Sequence, residues 1–214
     1  MRAGIPFVVS APSGTGKTTV CRAVVERDDG IEFSVSHTTR PPRPGEVDGV
    51  HYHFVSRDAF ARLVRSGGFL EHAEYAGNRY GTSWAAIDQP LAAGRDLILE
   101  VEVQGARQLR DRRPDARFVF LLPPSMEELE RRLRGRGTDS DEAVRSRLAA
   151  VESELAAVHL FDYAIVNEEI EATIRAVREI VAAEREGVTE RVRARWDRAR
   201  VVAGLSRVLP IPSP

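Results

Sequence analysis

The chain has 214 residues, of which 43% are hydrophobic, enough for one sizeable core with room for small inserted subdomains. Its 31 basic and 32 acidic residues give a net charge of −1, so the composition offers no reason to expect a nucleic-acid or membrane partner. Cys21 is the only cysteine, which excludes an intrachain disulfide, and no apolar run approaches the roughly 20 residues that span a bilayer, so we expect a cytoplasmic protein.

The first motif is SAPSGTGKTT, between the apolar run PFVVSA (6–11) and the helical pattern TTVCRAVVER. It matches the phosphate-binding pattern G-x-x-x-x-G-K-[ST] except at its first position, which is Ala11. Backbone N–H groups of such a loop favour an anion, while Lys17 offers a cation to phosphates and Thr18 a hydroxyl to Mg²⁺. We predict a nucleotide-binding loop here; a chance glycine-rich turn is the alternative.

Residues 33–82 have a different pattern, with short polar strands separated by turns rich in proline and glycine. This predicts an inserted subdomain of antiparallel character. Within it, Arg40 and Arg43 flank stiff prolines and suit a phosphate dianion, although a solvated basic loop is the alternative. His51 and His53 alternate like a metal pair, but no third ligand is evident nearby, so we interpret them as surface or packing residues.

Three further apolar runs, 96–103, 117–124 and 163–168, are typical of strands that are buried on both faces. Helical patterns lie after them: Ser125 with Glu128 forms a capping box, and apolar residues recur at helical spacing over 144–158 and 170–181. Strands that alternate with helices predict an α/β fold with a mostly parallel sheet.

Two carboxylates, Glu100 and Glu102, stand on one of these apolar runs. As residues of one strand, they are predicted to face the same side at its carboxyl end, where α/β proteins place their sites. Two carboxylates on an apolar strand are too costly to bury without partners, which favours a functional role.

The segment from about Arg185 is rich in arginine and ends in PIPSP, and we expect it to be unstructured. An amphipathic helix with Val188, Val192 and Trp196 on one face is the first alternative. A nucleic-acid contact made by the arginines is the second.

Six separated motifs then occur in an order and spacing that resembles guanylate kinases: SAPSGTGKTT, SVSHTTRPPRPGE, FLEHAEYAGNRYGTS, LEVEVQGA, LLPPS and RRLRGRGTDS. The resemblance covers residues 4–184. It implies a phosphate-loop core of α/β fold, a mixed or antiparallel GMP-binding insert at 34–83 and a helical lid at 125–155, with an Arg-rich tail at 185–214.

The resemblance also implies an activity, the ATP-dependent phosphorylation of GMP, and of dGMP as well, to the diphosphate in purine nucleotide metabolism. Mg²⁺ would accompany ATP, and the protein would be a monomer or a homodimer. Two alternatives stay open. One is a catalytically dead, peptide-binding domain, although such domains tend to lose phosphate-loop residues and Gly16, Lys17 and Thr18 are present here. The other is a kinase for a different nucleoside monophosphate.

By this resemblance, the ATP site consists of the eight consecutive loop residues Ala11, Pro12, Ser13, Gly14, Thr15, Gly16, Lys17 and Thr18. The GMP site consists of Ser36, Arg40, Arg43, Tyr52, Glu71, Tyr80, Thr82 and Glu100. The catalytic charges are Lys17, Arg40, Arg132, Arg136 and Arg147, the last three as lid arginines. Mg²⁺ would be held by Thr18 directly and by Glu102 through water.

Within the GMP site, Glu71, Thr82 and Glu100 would read guanine, and the remaining residues would hold the phosphate. Many relatives carry Asp at the positions of Glu100 and Glu102. From the residues alone, Tyr52 and Tyr80 are as well interpreted as packed aromatics, and Glu74 is as good a candidate for guanine recognition as Glu71. The arginine-rich segment 130–148 also fits an exposed helix with salt bridges.

Overall fold

A five-stranded parallel sheet lies at the centre of the protein, seen in a computed structural model that describes residues 2–75, 77–135, 141–205 and 208–211. The strands in chain order are β1 (Pro6–Ser10), β2 (Ile31–Phe33), β3 (His37–Thr38), β4 (His53–Phe54), β5 (Phe69–Tyr75), β6 (Asn78–Ser83), β7 (Asp96–Glu100), β8 (Arg117–Leu122) and β9 (Tyr163–Val166). The central sheet has the order β2-β7-β1-β8-β9, and all its pairings are parallel.

Helices cover both faces of this sheet. They are α1 (Lys17–Glu26), α2 (Arg57–Arg65), α3 (Ala85–Ala92), α4 (Val103–Arg112), α5 (Met126–Arg134), α6 (Asp141–Leu155), α7 (Ile170–Glu186), α8 (Glu190–Trp196) and α9 (Arg198–Leu205), with a short 3₁₀ helix at Ala156–Leu160. Successive residues of β1 enter opposite halves of the core, because Val8 packs with one apolar cluster and Val9 with the other. Burial on both faces explains why β1 is apolar throughout.

A second sheet has the order β4-β3-β6-β5 and is mixed, because β3 pairs parallel with β4 and antiparallel with β6. Its main element is the β5–β6 hairpin. This confirms an insert beside a parallel core. Phe33 ends β2 and pairs with β7 in the central sheet, so it belongs to the core and not to the stretch of polar strands at 33–82. The short strand β2 has too little apolar length to be recognised before its partner is known.

The run 96–103 is not a strand throughout. Strand β7 ends at Glu100, and Glu102 is the N-cap of α4. The expectation that Glu100 and Glu102 share one face of a strand is therefore wrong. The reason is that Val101 closes the strand, and the chain turns into a helix at the sheet edge.

The predicted lid contains two helices. Helix α5 begins as expected, since the Ser125 hydroxyl accepts the Glu128 N–H at 3.1 Å. The carboxylate of Glu128 binds Arg131 and Arg132, which lowers its pKa to about 2. Helix α6 follows after residues 136–140, which lie outside the described part of the chain.

The expectation of an unstructured tail is wrong over most of its length, because residues 190–205 form α8 and α9. Val192 and Trp196 are buried, and Asp197 forms a β-bridge with Tyr163 on the edge strand β9. Val188, in contrast, is exposed. The edge of the sheet supplies apolar and backbone partners that a local pattern does not reveal. Within the described residues, no helix combines the length and apolarity needed to cross a bilayer.

Candidate active site

The segment of residues 11–18, called here the phosphate loop, joins β1 to α1. Gly14 and Gly16 adopt φ values of 91° and 98°, which a residue with a Cβ rarely adopts. Ala11 is 1% exposed and packs in the core beside Val9, so its methyl group fills space that the fold provides. Lys17 is the first residue of α1, and the N–H groups at the positive end of this helix therefore favour an anion in the loop.

Lys17 and Thr18 both contact the carboxyl end of β7. Lys17 Nζ donates to the Val101 carbonyl at 2.8 Å and to Glu102 Oε1 at 3.3 Å. Thr18 Oγ1 donates to Glu100 Oε1 at 2.5 Å. Burial acts to lower the pKa of Lys17, but the Glu102 and Glu100 carboxylates outweigh it and the pKa is raised, so the ammonium stays charged.

Arg40 and Arg43 lie on the insert side of the cleft, and both bond to Glu46, Arg40 through its guanidinium and Arg43 through its backbone N–H. Arg40 donates both terminal nitrogens to the Glu46 carboxylate, at 2.8 and 3.0 Å, and the Arg43 N–H donates to the same carboxylate at 2.7 Å. These bonds raise the pKa of Arg40 and lower that of Glu46. The Arg40 guanidinium also lies 5.5 Å from the ring centroid of Tyr52. These contacts hold the Arg40 guanidinium group in a fixed orientation.

Tyr52 and Tyr80 are half-buried and contact each other edge to face, with ring centroids 6.1 Å apart. Burial raises the pKa of Tyr52 to about 12, so it stays a neutral donor. Both the packing interpretation and the ligand interpretation of these tyrosines fit, because each ring packs while its residue lines the cleft.

Glu71, Thr82 and Ser36 form a buried polar chain at the inner end of the insert. Thr82 Oγ1 donates to Glu71 Oε1 at 2.6 Å, and the Ser36 hydroxyl lies 3.1 Å from Thr82 Oγ1. Glu71 is only 4% exposed, and burial raises its pKa to about 7 although the bonds from Thr82 oppose the shift. Glu71 also lines the cleft described below, where a buried carboxylate is suited to accept from a ligand N–H.

One cleft joins these groups. It is lined by loop residues from Ala11 to Thr18, apart from buried Thr15, and by the predicted acceptor-site and catalytic residues Ser36, Arg40, Arg43, Tyr52, Glu71, Tyr80, Glu100, Glu102 and Arg147. Thr82 lies behind this surface and is fully buried. The structure thus gathers most of the predicted site residues around a single space.

The lid arginines differ in position. Arg147 on α6 lines the cleft and donates to Ser13 Oγ at 3.3 Å. Arg132 on α5 lies behind the loop, where it donates to the Asn167 carbonyl at 3.0 Å and to Glu128. Arg136 is outside the described residues.

Sequence reasoning missed several contributors. Asn167 donates to the Thr15 carbonyl at 2.6 Å and thereby supports the loop. Glu154 on α6 accepts the Ser13 N–H at 3.3 Å, and burial raises its pKa to about 7. Two further residues were also missed: Tyr75, which lines the cleft, and Glu46, which binds Arg40. The position of Asn167 directly after a buried strand was the one available signal; Glu154 is indistinguishable in sequence from its exposed neighbour Glu152.

The residues beside the loop fit Mg²⁺ in their chemistry. Thr18 offers a hydroxyl and Glu100 and Glu102 offer carboxylates, which are hard oxygen donors. No group of three or more His, Cys, Asp or Glu suited to a metal occurs among the described residues. Mg²⁺ usually takes one or two protein ligands plus phosphate oxygens. His51 instead accepts the Val47 N–H through Nδ1 at 3.0 Å.

A phosphate loop that faces an acceptor pocket across one cleft, on a parallel α/β core with a mixed-sheet insert, defines a P-loop kinase of the nucleoside monophosphate class. The comparisons with known proteins narrow this class. A family model described as guanylate kinase matches residues 3–184. The chain belongs to the guanylate kinase family.

Individual relatives agree over nearly their full lengths. The chain is 52% identical over 182 residues to a guanylate kinase of Alkalilimnicola ehrlichii, covering 85% of this chain and 90% of that one. It is 49% identical over 181 residues to a guanylate kinase of Lactococcus lactis, covering 85% and 88%. The crystal structure of guanylate kinase from Anaplasma phagocytophilum superimposes with a TM-score of 0.71 at 35% identity, covering 86% of this chain and 87% of that chain.

Proposed function

We propose that this protein transfers the γ-phosphoryl group of ATP to GMP, giving ADP and GDP. Family membership supports the reaction. The observation that carries its assignment to this site is the single cleft with Lys17 and the phosphate loop on one wall and Arg40 and Glu71 on the other. Such a space accepts two phosphorylated molecules at once, each with its phosphate toward the middle.

On the donor wall, the loop N–H groups and Lys17 hold the ATP phosphates. Thr18 would hold Mg²⁺ directly and Glu102 would hold it through water, and the ion would supply positive charge to the ATP phosphates. Lys17 is kept charged by Glu100 and Glu102, so it meets the phosphates as an ammonium at any physiological pH.

On the acceptor wall, Arg40 and Arg43 hold the GMP phosphate, assisted by hydroxyls of Ser36, Tyr52 and Tyr80. Glu46 takes two donors of Arg40, which fixes the guanidinium plane while leaving other donors for phosphate oxygens. The counter-ion therefore orients the site before the substrate arrives.

Guanine lies against Glu71. A carboxylate there accepts the N1–H and N2–H₂ donors of guanine, and the hydroxyl network of Thr82 and Ser36 keeps it oriented. Adenine presents an unprotonated N1 in the same place and leaves the buried carboxylate without a partner, which rejects it strongly. Glu100 contacts Thr18 on the donor side, so its part in guanine reading is the less direct one.

The chemistry requires no general base, because the attacking phosphate oxygen of GMP is an anion at neutral pH. The obstacle is repulsion between two polyanions, which Lys17, Arg40 and Arg43 reduce from both walls. Of the three arginines that the resemblance assigns to the lid, Arg147 lines the cleft and Arg136 is proposed to add positive charge with it. Arg132 is bonded to Glu128 behind the loop and supports the loop from there. Lid closure also excludes water, which otherwise would accept the phosphoryl group.

A panel assay tests the proposal: ADP formation from ATP and Mg²⁺ with GMP, dGMP, AMP, CMP or UMP as the acceptor. We expect fast turnover with GMP and dGMP and a rate at least about 10⁴-fold lower in kcat/KM with AMP. Equal use of AMP or a pyrimidine nucleotide contradicts guanine reading by Glu71. GMP binding without ADP formation indicates a binding module instead of an enzyme.

A further inference from the structure

Gly105 occupies an unexpected place, the third residue of helix α4 in the core. A glycine inside a helix costs about 1 kcal/mol relative to alanine, so its presence calls for a local reason. Gly105 is buried, and a Cβ built on it would lie 2.3 Å from Oε2 of Glu71 and 3.0 Å from its Cδ. The other neighbouring side chain, Val101, would be 3.4 Å away, an ordinary contact. The absent side chain is space that the Glu71 carboxylate fills.

Helix α4 is also fixed to the strand that carries Glu71. Gln108 makes a pair of hydrogen bonds with the backbone of His72, donating to its carbonyl at 2.7 Å and accepting its N–H at 3.3 Å. Arg112 donates to the Leu70 carbonyl, on the other side of Glu71 in the strand. Residues 105, 108 and 112 lie on one face of the helix. The strand therefore cannot retreat from the helix without breaking both attachments.

The charge distribution agrees with this arrangement. Glu71 Oε2 lies against the first turn of α4, where the positive end of the helix dipole favours a carboxylate. Glu71 Oε1 is meanwhile held by Thr82. One oxygen is thus located by a hydroxyl of the insert and the other by the backbone of the core.

We propose that Gly105 is a specificity-determining positioning residue, which sets the place of the Glu71 carboxylate by leaving room for it against α4. This rests on the proposed function, in which Glu71 accepts the guanine N–H groups. Helix α4 begins directly after Glu102. The short segment 100–105 therefore contains the two donor-side carboxylates and the glycine against which Glu71 packs. A change at Gly105 is expected to displace Glu71 without touching the phosphate loop.

The first test is Gly105→Ala with steady-state kinetics for both substrates. Its matched control is Gly204→Ala on α9, where a Cβ meets nothing within 4 Å. We expect KM for GMP to rise about 10- to 100-fold in Gly105→Ala, since a displacement near 1 Å has effects of this size, with KM for ATP unchanged within about twofold. Gly204→Ala is expected to match the wild type. An unchanged KM for GMP in folded Gly105→Ala overturns the proposal.

The second test separates this contact from the guanine-reading function. Melting temperatures are measured without nucleotide for the wild type, Gly105→Ala, Glu71→Ala and the double variant. If Gly105 acts through Glu71, alanine at 105 lowers the melting temperature in the wild type but not in the Glu71→Ala background. An equal loss in both backgrounds overturns the proposal.

If Gly105→Ala alone does not fold, recovery of folding in the double variant is the expected result, and failure to recover overturns the inference. Should Glu71→Ala retain normal GMP kinetics, guanine reading by Glu71 is wrong. The melting temperatures then still report whether Gly105 positions that carboxylate.

Discussion

The phosphate loop and the buried Glu71 site, on opposite walls of the cleft, are suited to different chemical groups. The phosphate loop is a run of eight consecutive residues whose donors are backbone N–H groups and one lysine. The proposed guanine pocket gathers Ser36, Glu71 and Thr82 from separate segments and presents a buried acceptor. The loop is positively charged and binds an anion of the ligand. The opposite wall contains the Glu71 carboxylate, which is an anion itself and binds hydrogen-bond donors of the ligand.

This difference has a consequence for stability. Lys17 has its charge balanced by two carboxylates, so the loop remains ionised at little cost. Among the residues that the structure describes, Glu71 is bonded to Thr82 and to no cation, and burial raises its pKa to about 7. If Glu71 recognises guanine as proposed, the acceptor wall loses stability by keeping a carboxylate that only the guanine base fully satisfies.

Replacement of Lys17 should have the largest effect, because it removes the charge of the donor wall. We expect Lys17→Ala to lower kcat by about 10²–10³-fold in a folded protein. Lys17→Arg should also be poorly active, since a planar guanidinium does not fit the place of a compact ammonium. Turnover of ADP formation measures both. Arg65→Ala, at an exposed position on α2, is the control. Near-normal turnover in Lys17→Ala contradicts the assigned role.

Glu71→Ala tests the acceptor wall. Loss of two charge-assisted hydrogen bonds to guanine, each worth about 1.5–3 kcal/mol, should lower kcat/KM for GMP by about 10²-fold or more. KM for ATP should stay the same. Glu74→Ala is the matched control, because this side chain lies on the same strand but is 59% exposed. Equal losses in the two variants would show that the pocket reads guanine with other groups.

Arg147→Ala tests whether the lid acts on the donor wall. Arg147 contacts Ser13 of the loop, so we expect kcat to fall by about tenfold while equilibrium GMP binding changes by less than about twofold. The exposed Arg145 on the same helix provides the control variant. Calorimetric titration with GMP gives the binding constant. A parallel loss of GMP affinity would place Arg147 in the acceptor site.

The smallest expected effect concerns the burial of Glu71. Its pKa rises from 4.5 to about 7 on folding, so the stability linked to its proton is fully present below about pH 4.5 and is lost as the pH rises through about 7. Glu71→Gln stays neutral and should melt a few °C above the wild type at pH 8, with the difference vanishing toward pH 4.5. Thermal melts across this range measure it. A constant offset at all pH values would contradict the assigned pKa, and Glu74→Gln should follow the wild type.

The elements of this fold differ in how well the sequence predicts them. The phosphate loop, four of the core strands and the start of α5 could be predicted, because each has a recognisable pattern within a short run of residues. The short strand β2, the helices of the tail and the turn at Glu102 could not, since their partners are distant in sequence. Composition alone gives little information about the site. Lys17 is the only lysine among the 31 basic residues, but a residue count does not show where it lies or what it contacts.

By itself, the sequence determined the phosphate-binding chemistry, the α/β class and the family, because motif order and strand periodicity are local and survive without coordinates. Only the tertiary structure decided which of the two β5 carboxylates, Glu71 or Glu74, is buried beside the cleft. Glu71 and Glu74 lie three residues apart on one strand and therefore face opposite sides, and nothing in the chain says which side meets the core. The packing of α4 against β5 makes that choice, since the missing side chain of Gly105 accepts Glu71 and leaves Glu74 to solvent.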